Sequence, residues 1–346
     1  MRVVLTGGGT GGHVVPNVAI IEDIRRRGGH DILYIGSVDG VEKKMMEKEG
    51  VQYAGVHVGK LRRYFSWQNF LDIVKVPMGF LEAINVLKKF RAEVVFSKGG
   101  YVSVPVALAA RALKIPIIVH ESDVSVGLAN SLCFKFADLI CLSFSETKKY
   151  LSLKLQKKVV VTGSPIRKIH GNKDAGLKFC GFDNYRPVLL VMGGSQGAMQ
   201  INKIVDESLD ELLKKFQIVH IRGRGNLNIG IKSRGYAQFE YIDKELFDVY
   251  AAADLVVTRG GANSLFELAY MKKKALIIPL NTGRGEQNLN AEVFAGKLGW
   301  SVLSGNMLKG DFINAVMMAE KNNMNKTADI ENGTTQIVDL ILKQKR

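Results

Sequence analysis

The chain opens with the stretch Val3-Val4-Leu5-Thr6-Gly7-Gly8-Gly9-Thr10-Gly11-Gly12-His13, an apolar run that leads through glycines into a helical pattern. The same pattern returns in Val188-Leu189-Leu190-Val191-Met192-Gly193-Gly194-Ser195-Gln196-Gly197-Ala198. Such a stretch is typical of a strand, a tight turn and a helix N-terminus, where backbone N–H groups and the helix dipole favour an anion. Two of them predict two nucleotide-binding folds that face each other across a cleft.

Composition narrows the class of protein. The chain has 346 residues, of which 47% are hydrophobic, and this is enough for two domains with cores of their own. Its formal net charge of +15 favours anionic partners, which include nucleic acid, an anionic membrane surface and phosphorylated small molecules. A strand begins at once and no apolar run reaches the roughly 18 residues that span a bilayer. We therefore expect a cytoplasmic protein that could still lie on a membrane.

Apolar β-branched runs alternate with helical patterns along the whole chain, which predicts α/β architecture with a mostly parallel sheet in each half. The predicted strands are 2–6, 32–36, 93–96, 116–120, 138–142, 158–162, 187–192, 217–221, 238–241, 254–258, 275–279 and 300–303. The predicted helices are 15–27, 40–49, 68–90, 103–113, 199–215, 245–252, 264–271 and 288–297, with a last one at about 334–345.

The domain boundary is predicted at Gly163-Ser164-Pro165-Ile166-Arg167, which follows a predicted strand. The polar stretch from there to Arg186 is predicted to be irregular. This gives an N-terminal domain of residues 1–164 and a C-terminal domain of residues 165–333. The last helix, within residues 334–346, could belong to either domain.

The first glycine turn formally matches the dinucleotide fingerprint Gly-x-Gly-x-x-Gly. A dehydrogenase also needs an acidic residue at the end of its second strand, but that strand ends Leu33-Tyr34-Ile35-Gly36-Ser37. The sequence therefore argues against a dinucleotide site and favours a turn whose backbone a large polar ligand can approach closely. A purely structural turn remains an alternative interpretation. His13, just after the turn, is either a general base or a structural histidine at a helix end.

Other polar segments follow predicted strands and fall on the same edge of a parallel sheet, where ligands bind in this class of fold. In the first half they are Gly99-Gly100-Tyr101-Val102-Ser103 and His120-Glu121-Ser122-Asp123. In the second half, the turn at Gly193–Gly197 could hold a phosphate. Ser264-x-x-Glu267 is either a helix capping box or a carboxylate that binds sugar hydroxyls. Gln287 could bind a neutral sugar or lie in a solvated loop.

A basic and aromatic segment lies at Lys60-Leu61-Arg62-Arg63-Tyr64-Phe65-Ser66-Trp67. Cations beside aromatic rings suit an anionic membrane interface, and they also suit stacked nucleic-acid bases. A third interpretation is the charged end of an amphipathic core helix.

Taken together, these motifs resemble the MurG family of bacterial N-acetylglucosaminyltransferases. The resemblance rests on Gly7–His13, Lys98–Ser103, His120-Glu121, Met192–Ala198 and Gln287-x-x-Asn290-Ala291, which are collinear over nearly the whole chain. It implies a GT-B fold, meaning two Rossmann-like domains around a cleft. It also implies a hexosyltransferase that moves N-acetylglucosamine from UDP-GlcNAc to the lipid-linked acceptor lipid I, at the cytoplasmic face of the membrane. Neither a metal nor another cofactor is expected, nor is nucleic acid.

The resemblance also assigns roles to single positions. Substrate contacts are expected from Thr10, Gly11, Gly12, Asp123, Arg167, Gly194, Ser195, Ile242, Ala262, Asn263, Ser264, Leu265, Phe266, Glu267 and Gln287. Membrane and acceptor contacts are expected from Lys60, Arg62, Arg63, Tyr64, Phe65 and Trp67.

Two positions depart from the family's usual pattern. Asp123 replaces a frequent Asn, and Ser164 replaces the Asn of the usual Gly-Asn-Pro-Val-Arg. A carboxylate accepts but does not donate hydrogen bonds, so Asp123 becomes a second candidate base beside His13. Two other classes stay open: a related glycosyltransferase with another glycolipid or small-molecule acceptor, and a non-enzymatic binder of nucleotides or nucleic acid.

Overall fold

The computed structural model describes the chain except residues 10, 60–66, 169, 194–197, 281–284, 306, 326–329, 331 and 345–346, and it leaves out the side chains of 67–75. The chain divides into two compact units. Unit 1 comprises Met1–Arg167 with Glu331–Arg346, and unit 2 comprises Lys168–Ile330.

Unit 1 is built on a seven-stranded parallel sheet with the strand order β3-β2-β1-β4-β5-β6-β7. The strands are β1 (Arg2–Thr6), β2 (Asp31–Ser37), β3 (Gln52–Val56), β4 (Val94–Ser97), β5 (Ile117–Glu121), β6 (Leu139–Leu142) and β7 (Val159–Val161). The helices are α1 (Gly11–Arg27), α2 (Val41–Lys48), α3 (Trp67–Phe90), α4 (Ser103–Ala112), α5 (Leu128–Cys133) and α6 (Leu153–Gln156).

Both faces of this sheet are buried, as parallel strands require. Val4 packs in the cluster that includes Ala83 and Leu87 of α3, whereas its neighbours Val3 and Leu5 pack in the cluster on the opposite face. Successive side chains of a strand point to opposite faces, so a continuous apolar run fills both layers at once.

Unit 2 is built on a six-stranded parallel sheet with the order β10-β9-β8-β11-β12-β13. The strands are β8 (Val188–Met192), β9 (Gln217–Ile221), β10 (Tyr236–Phe239), β11 (Leu255–Thr258), β12 (Lys274–Ile277) and β13 (Ser301–Val302). The helices are α7 (Lys173–Cys180), α8 (Met199–Leu213), α9 (Leu246–Ala252), α10 (Ala262–Tyr270), α11 (Glu286–Leu298) and α12 (Lys309–Lys321). The predicted α/β class with two parallel sheets is confirmed.

The last helix, α13 (Thr334–Leu342), packs on α1 of unit 1. Its apolar residues Ile337, Val338 and Ile341 are fully buried in the cluster that contains Val3 and Leu5. The chain that precedes it is held by Ile166, whose carbonyl oxygen accepts hydrogen bonds from Asn332 Nδ2 at 2.8 Å and Thr334 Oγ1 at 2.9 Å.

Several elements differ from the prediction. The stretch before Arg186, expected to be irregular, contains α7, which begins at an Asn172 cap whose Oδ1 accepts from Ala175 N at 3.0 Å. Gly176 weakens the helical pattern of α7 in the sequence, because glycine has a low helix propensity. The structure explains the glycine: a Cβ there would lie 2.1 Å from Asp248 O, so close packing against α9 requires it. The predicted strand 238–241 is displaced to Tyr236–Phe239, and β3 was missed; both are half-exposed edge strands with a weak apolar pattern.

The helices α5, α6 and α12 were also missed. The first two are too short for a helical period to show. In α12, by contrast, the buried residues Phe312, Val316 and Ala319 recur at helical spacing, so a usable signal was present.

Candidate active site

The strand order brings three loops of unit 1 together. Strands β1, β4 and β5 are neighbours, and the loops after their carboxyl ends carry Gly7, Lys98 and Ser122. Because parallel strands end at the same edge of the sheet, these loops form one surface, as the sequence predicted.

The first glycine turn is held by bonds within unit 1. Tyr34 Oη donates to Gly7 O at 2.6 Å, Gly8 N donates to Gly99 O at 3.3 Å, and Gly9 N donates to Glu42 Oε2 at 3.4 Å. Gly7 and Gly9 have φ of +157° and +90°, and a Cβ on Gly9 would meet the Tyr101 ring. The amides of Gly8 and Gly9 are thus used internally, whereas Gly12, at the start of α1, is exposed to solvent.

An acidic residue near the first glycine turn, Glu42, was not predicted from the sequence, where only the end of the second strand was considered. It lies on α2, beyond the end of β2, and is fully buried. Its carboxylate also accepts from Ser37 N at 2.9 Å and from Ser37 Oγ at 2.6 Å. A buried carboxylate beside the Gly8–Gly9 backbone disfavours a phosphate there, which argues against the dinucleotide interpretation on a second, independent ground.

His13 lies in the first turn of α1 and is half-buried. Its Nδ1 lies 3.3 Å from Lys98 O; since a carbonyl oxygen only accepts, Nδ1 carries the proton and Nε2 keeps its lone pair. Burial and then the Lys98 charge lower the pKa of His13 to about 4, against the opposing effect of Asp123. The imidazole is therefore neutral at neutral pH and can accept a proton through Nε2.

Glu121 organises the loop that carries Asp123. Its buried carboxylate accepts hydrogen bonds from Ser122 N at 2.8 Å, Asp123 N at 3.1 Å and Gly127 N at 2.9 Å, and from Asn130 Nδ2 at 2.9 Å. Asp123 itself is half-buried. The two predicted bases are thus in the same unit, close enough for the charge of Asp123 to raise the pKa of His13.

Lys98 lies beneath this loop and is 1% exposed. Its Nζ donates a hydrogen bond to Ser122 Oγ. Burial lowers the pKa of Lys98 to about 8, although the charges of Glu121 and Asp123 act to raise it. We call the set formed by His13, Lys98, Glu121, Ser122 and Asp123 the His13–Asp123 cluster.

In unit 2, helix α10 begins at Ala262 after a Gly261 cap, so Ser264 is its third residue and not its cap. The capping-box interpretation of Ser264 and Glu267 is therefore wrong. Glu267 instead accepts a hydrogen bond from Tyr250 Oη at 3.5 Å. Gly261 has no side chain to cap the first turn of α10, and the N–H groups there have no partner within a regular helix.

The other predicted donor contacts of α10 divide by position. Leu265 and Phe266 are buried, and Phe266 packs edge-on against Phe294 at 5.1 Å. Leu265 N already donates to Gly261 O at 3.1 Å. Ala262, Asn263 and Ser264 are the residues whose backbone N–H groups lie in the first turn of α10. Ile242 is 3% exposed, so its side chain is part of the interior of unit 2.

Gln287 is brought beside α10. Gly260 packs against it so closely that a Cβ would lie 2.4 Å from Gln287 O, and Asn290 Nδ2 donates to Gly260 O at 3.0 Å. Gln287 Oε1 accepts from Leu280 N at 3.2 Å. The amide Nε2 of Gln287 can donate to a sugar hydroxyl, and Oε1 keeps a second lone pair. Arg259, also in this loop, donates from Nη1 to Gly193 O at 3.1 Å, at the start of the second glycine turn.

Arg167 ends the first segment of unit 1 and is half-buried. Burial raises the pKa of Glu22, and the charge of Arg167 lowers it.

Of the remaining predicted residues, some lie outside the described part of the chain; they are Thr10, Gly194, Ser195, Lys60, Arg62, Arg63, Tyr64 and Phe65. Trp67 begins α3, but its side chain is not described.

Among the residues that the structure describes, no three His, Cys, Asp or Glu side chains are placed to hold a metal ion. No helix in that part of the chain has the length and apolar character needed to cross a bilayer.

Comparison with known proteins now identifies the family. Residues 3–141 match the glycosyltransferase family 28 N-terminal domain, and residues 188–344 match the glycosyltransferase family 28 C-terminal domain. The chain belongs to glycosyltransferase family 28. It is a hexosyltransferase, and the two parallel sheets are those of the GT-B fold.

Relatives in this family are similar over most of their length. A protein of Clostridium botulinum strain Langeland is 44% identical, with 99% of each chain covered. One of Lachnoclostridium phytofermentans is 50% identical, with 85% of this chain and 83% of the relative covered. Both are named UDP-N-acetylglucosamine--N-acetylmuramyl-(pentapeptide) pyrophosphoryl-undecaprenol N-acetylglucosamine transferase. The crystal structure of Acinetobacter baumannii MurG has a TM-score of 0.75 at 23% identity, with 99% of each chain covered, and supports the fold.

Three charged residues that shape these loops had no role predicted from the sequence: Glu42, Lys98 and Arg259. Glu42 lies on a helix and not at the strand end that was searched. Lys98 and Arg259 each come directly after a strand and directly before paired glycines. That position was a signal for both, because it sets the residue at the ligand edge of the sheet.

Proposed function

We propose that this family 28 enzyme transfers N-acetylglucosamine from UDP-GlcNAc to the C4 hydroxyl of lipid I, undecaprenyl-pyrophosphoryl-N-acetylmuramoyl-pentapeptide, and so makes lipid II. The similarity to the Clostridium botulinum relative, which extends over 99% of both chains, carries the proposal. The motifs that the sequence analysis assigned to donor and acceptor all lie within the aligned length.

The reaction is an inverting displacement in one step. The acceptor oxygen forms a bond to the anomeric carbon, the bond from that carbon to the β-phosphate oxygen breaks, and UDP leaves. The hydroxyl proton goes to a base. His13 is the first choice because its Nε2 has a lone pair at neutral pH, and Asp123 is the second.

The leaving UDP carries negative charge that needs stabilisation. The N–H groups of the first turn of α10, Arg167 and the predicted Ser195 contact supply it, in place of a divalent cation. Glu267 is assigned to the ribose hydroxyls, and Gln287 binds the transferred sugar through Nε2. In this scheme the enzyme needs no metal.

The direct test is a transfer assay with purified protein, labelled UDP-GlcNAc and a lipid I analogue. We expect a lipid II analogue as product, little transfer from UDP-glucose or UDP-GalNAc, and undiminished turnover in EDTA. Transfer only to a different glycolipid would replace the proposed acceptor. Loss of activity in EDTA that Mg²⁺ restores would overturn the metal-independent scheme.

We also propose that the enzyme docks on the anionic cytoplasmic leaflet through Lys60, Arg62, Arg63, Tyr64, Phe65 and Trp67. Their cations and aromatic rings suit an anionic headgroup region. The following helix α3 supports this, since Met78 and Leu81 are 47% and 60% exposed. Sedimentation with liposomes should increase with anionic lipid and decrease with salt. Binding that responds to neither would contradict the docking proposal.

A further inference from the structure

Lys98 occupies a position that the proposed reaction does not explain. It is a cation at 1% exposure, and a charge in such a place costs free energy that an apolar side chain of the same length would not. Its ammonium contacts a neutral hydroxyl, Ser122 Oγ, and is not in a direct ion pair among the described contacts.

Three polar groups of Lys98 join three elements. Its backbone N donates to Thr6 O at 2.9 Å, at the end of β1. Its carbonyl oxygen accepts from His13 Nδ1, at the start of α1. Its ammonium donates to Ser122, in the loop that carries Asp123. Lys98 thus contacts His13, one candidate base, and Ser122, the neighbour of the other candidate base, Asp123.

We propose that Lys98 is a positioning residue of the transfer site, which fixes the His13 ring through its carbonyl oxygen and the Ser122–Asp123 loop through its ammonium. It also keeps His13 neutral, because a second positive charge beside the ammonium is unfavourable. Lys98 touches no reacting atom in this scheme. The proposal rests on the proposed function for its catalytic consequence, but not for its physical claim.

The titratable groups around His13 and Lys98 come from α1, from β5 and from the loop that follows β5. His13 lies on α1, His120 and Glu121 end β5, and Asp123 follows β5. Burial and then the Lys98 charge lower the pKa of both histidines. Asp123 acts on His13 in the opposite direction, so removing the ammonium leaves the carboxylate to raise the pKa of His13.

Two variants separate the roles of the ammonium. Lys98→Gln removes the charge and keeps a donor for Ser122, whereas Lys98→Met removes both. In each, the NMR titration midpoint of His13 should rise from about 4 toward its ordinary 6.5. The acid limb of the pH profile of kcat/KM should move up with it, because the base must be neutral. We expect kcat to fall roughly tenfold to hundredfold in Lys98→Met and less in Lys98→Gln.

Lys157→Met is the matched control, since Lys157 is exposed at the end of α6 of the same unit. It should leave the midpoint and the pH profile unchanged. A purely structural Lys98 would lower kcat in Lys98→Met without moving the midpoint of His13, and that result would overturn the proposal.

A measurement on the unmodified protein keeps the test open if the variants do not fold. With ¹³C-labelled lysine, the Lys98 side chain should titrate near 8, and the His13 ring signals should shift at the same midpoint. A Lys98 midpoint near 10.5, or His13 signals that ignore it, would refute the coupling. Neither reading needs substrate, so a failed transfer assay and a failed Lys98 proposal are distinguishable.

Discussion

Each unit has a histidine beside a cation at the carboxyl edge of its sheet, half-buried for His13 and fully buried for His220, but the two sets of charges are arranged differently. In unit 2, Arg222 forms two hydrogen bonds to Asp206, at 2.6 and 2.9 Å. Both ring nitrogens of His220 are engaged at 3.0 Å, Nδ1 by Tyr236 Oη and Nε2 by Asn202 Oδ1. We call this set the His220–Arg222 network.

In the His13–Asp123 cluster of unit 1, by contrast, the cation contacts a hydroxyl and the carboxylate of Asp123 stays half-buried. Burial and a neighbouring cation lower the pKa of the histidine in both, to about 4 for His13 and about 3 for His220. A lowered pKa alone therefore does not mark a catalytic histidine. What distinguishes the unit 1 set is the partner of its cation: the Lys98 ammonium donates to a hydroxyl, Ser122 Oγ, whereas the Arg222 guanidinium donates twice to the Asp206 carboxylate.

The largest expected effect is on turnover. His13→Ala should lower kcat by about 10²- to 10⁴-fold, because a positioned general base contributes that much. Asp123→Ala should have the smaller effect if His13 is the base, and the larger one if the assignment is reversed. Transfer assays with the lipid I analogue measure both. Wild-type kcat in both variants would show that neither residue is the base.

The next effect is on stability alone. Asp206→Ala should lower the free energy of unfolding by about 3 kcal/mol, since it leaves the 6% exposed Arg222 without its carboxylate. The control is Glu207→Ala on the same helix, whose exposed pair with Lys203 at 3.8 Å should contribute less than about 0.5 kcal/mol. Denaturant unfolding measures both. If kcat per folded molecule falls in Asp206→Ala, the network is not merely structural and the comparison fails.

The smallest effect comes from two tyrosine hydroxyls. Tyr34→Phe removes the donor to Gly7 O, and Tyr236→Phe removes the partner of His220 and Arg222. Each should cost about 1 kcal/mol of unfolding free energy. Only Tyr34→Phe should also lower kcat, because it loosens the turn that precedes His13. Equal kcat losses in the two variants would remove the distinction between the units.

Much of the fold followed from local pattern. Continuous apolar strands such as Val188–Met192 can only be buried on both faces, and this predicts a parallel sheet covered by helices. The pattern was weakest at the sheet edges, where β3 and β10 are half-exposed, and at α7, where Gly176 serves a contact with α9. These elements depend on partners distant in sequence, so no local period reveals them.

The sequence by itself determined the first glycine turn, the alternating α/β class and the family, because glycine conformation and apolar period are local properties. Only the tertiary structure decided what each polar group does. In the folded chain the Gly9 amide donates to Glu42, and Ser264 is the third residue of α10 and not its cap. Lys98 contacts His13 through its carbonyl oxygen and Ser122 through its ammonium. The physical reason is that hydrogen bonding and desolvation depend on atoms that only folding brings together: Lys98 lies 85 residues from His13 in the chain and 3.3 Å from it in space.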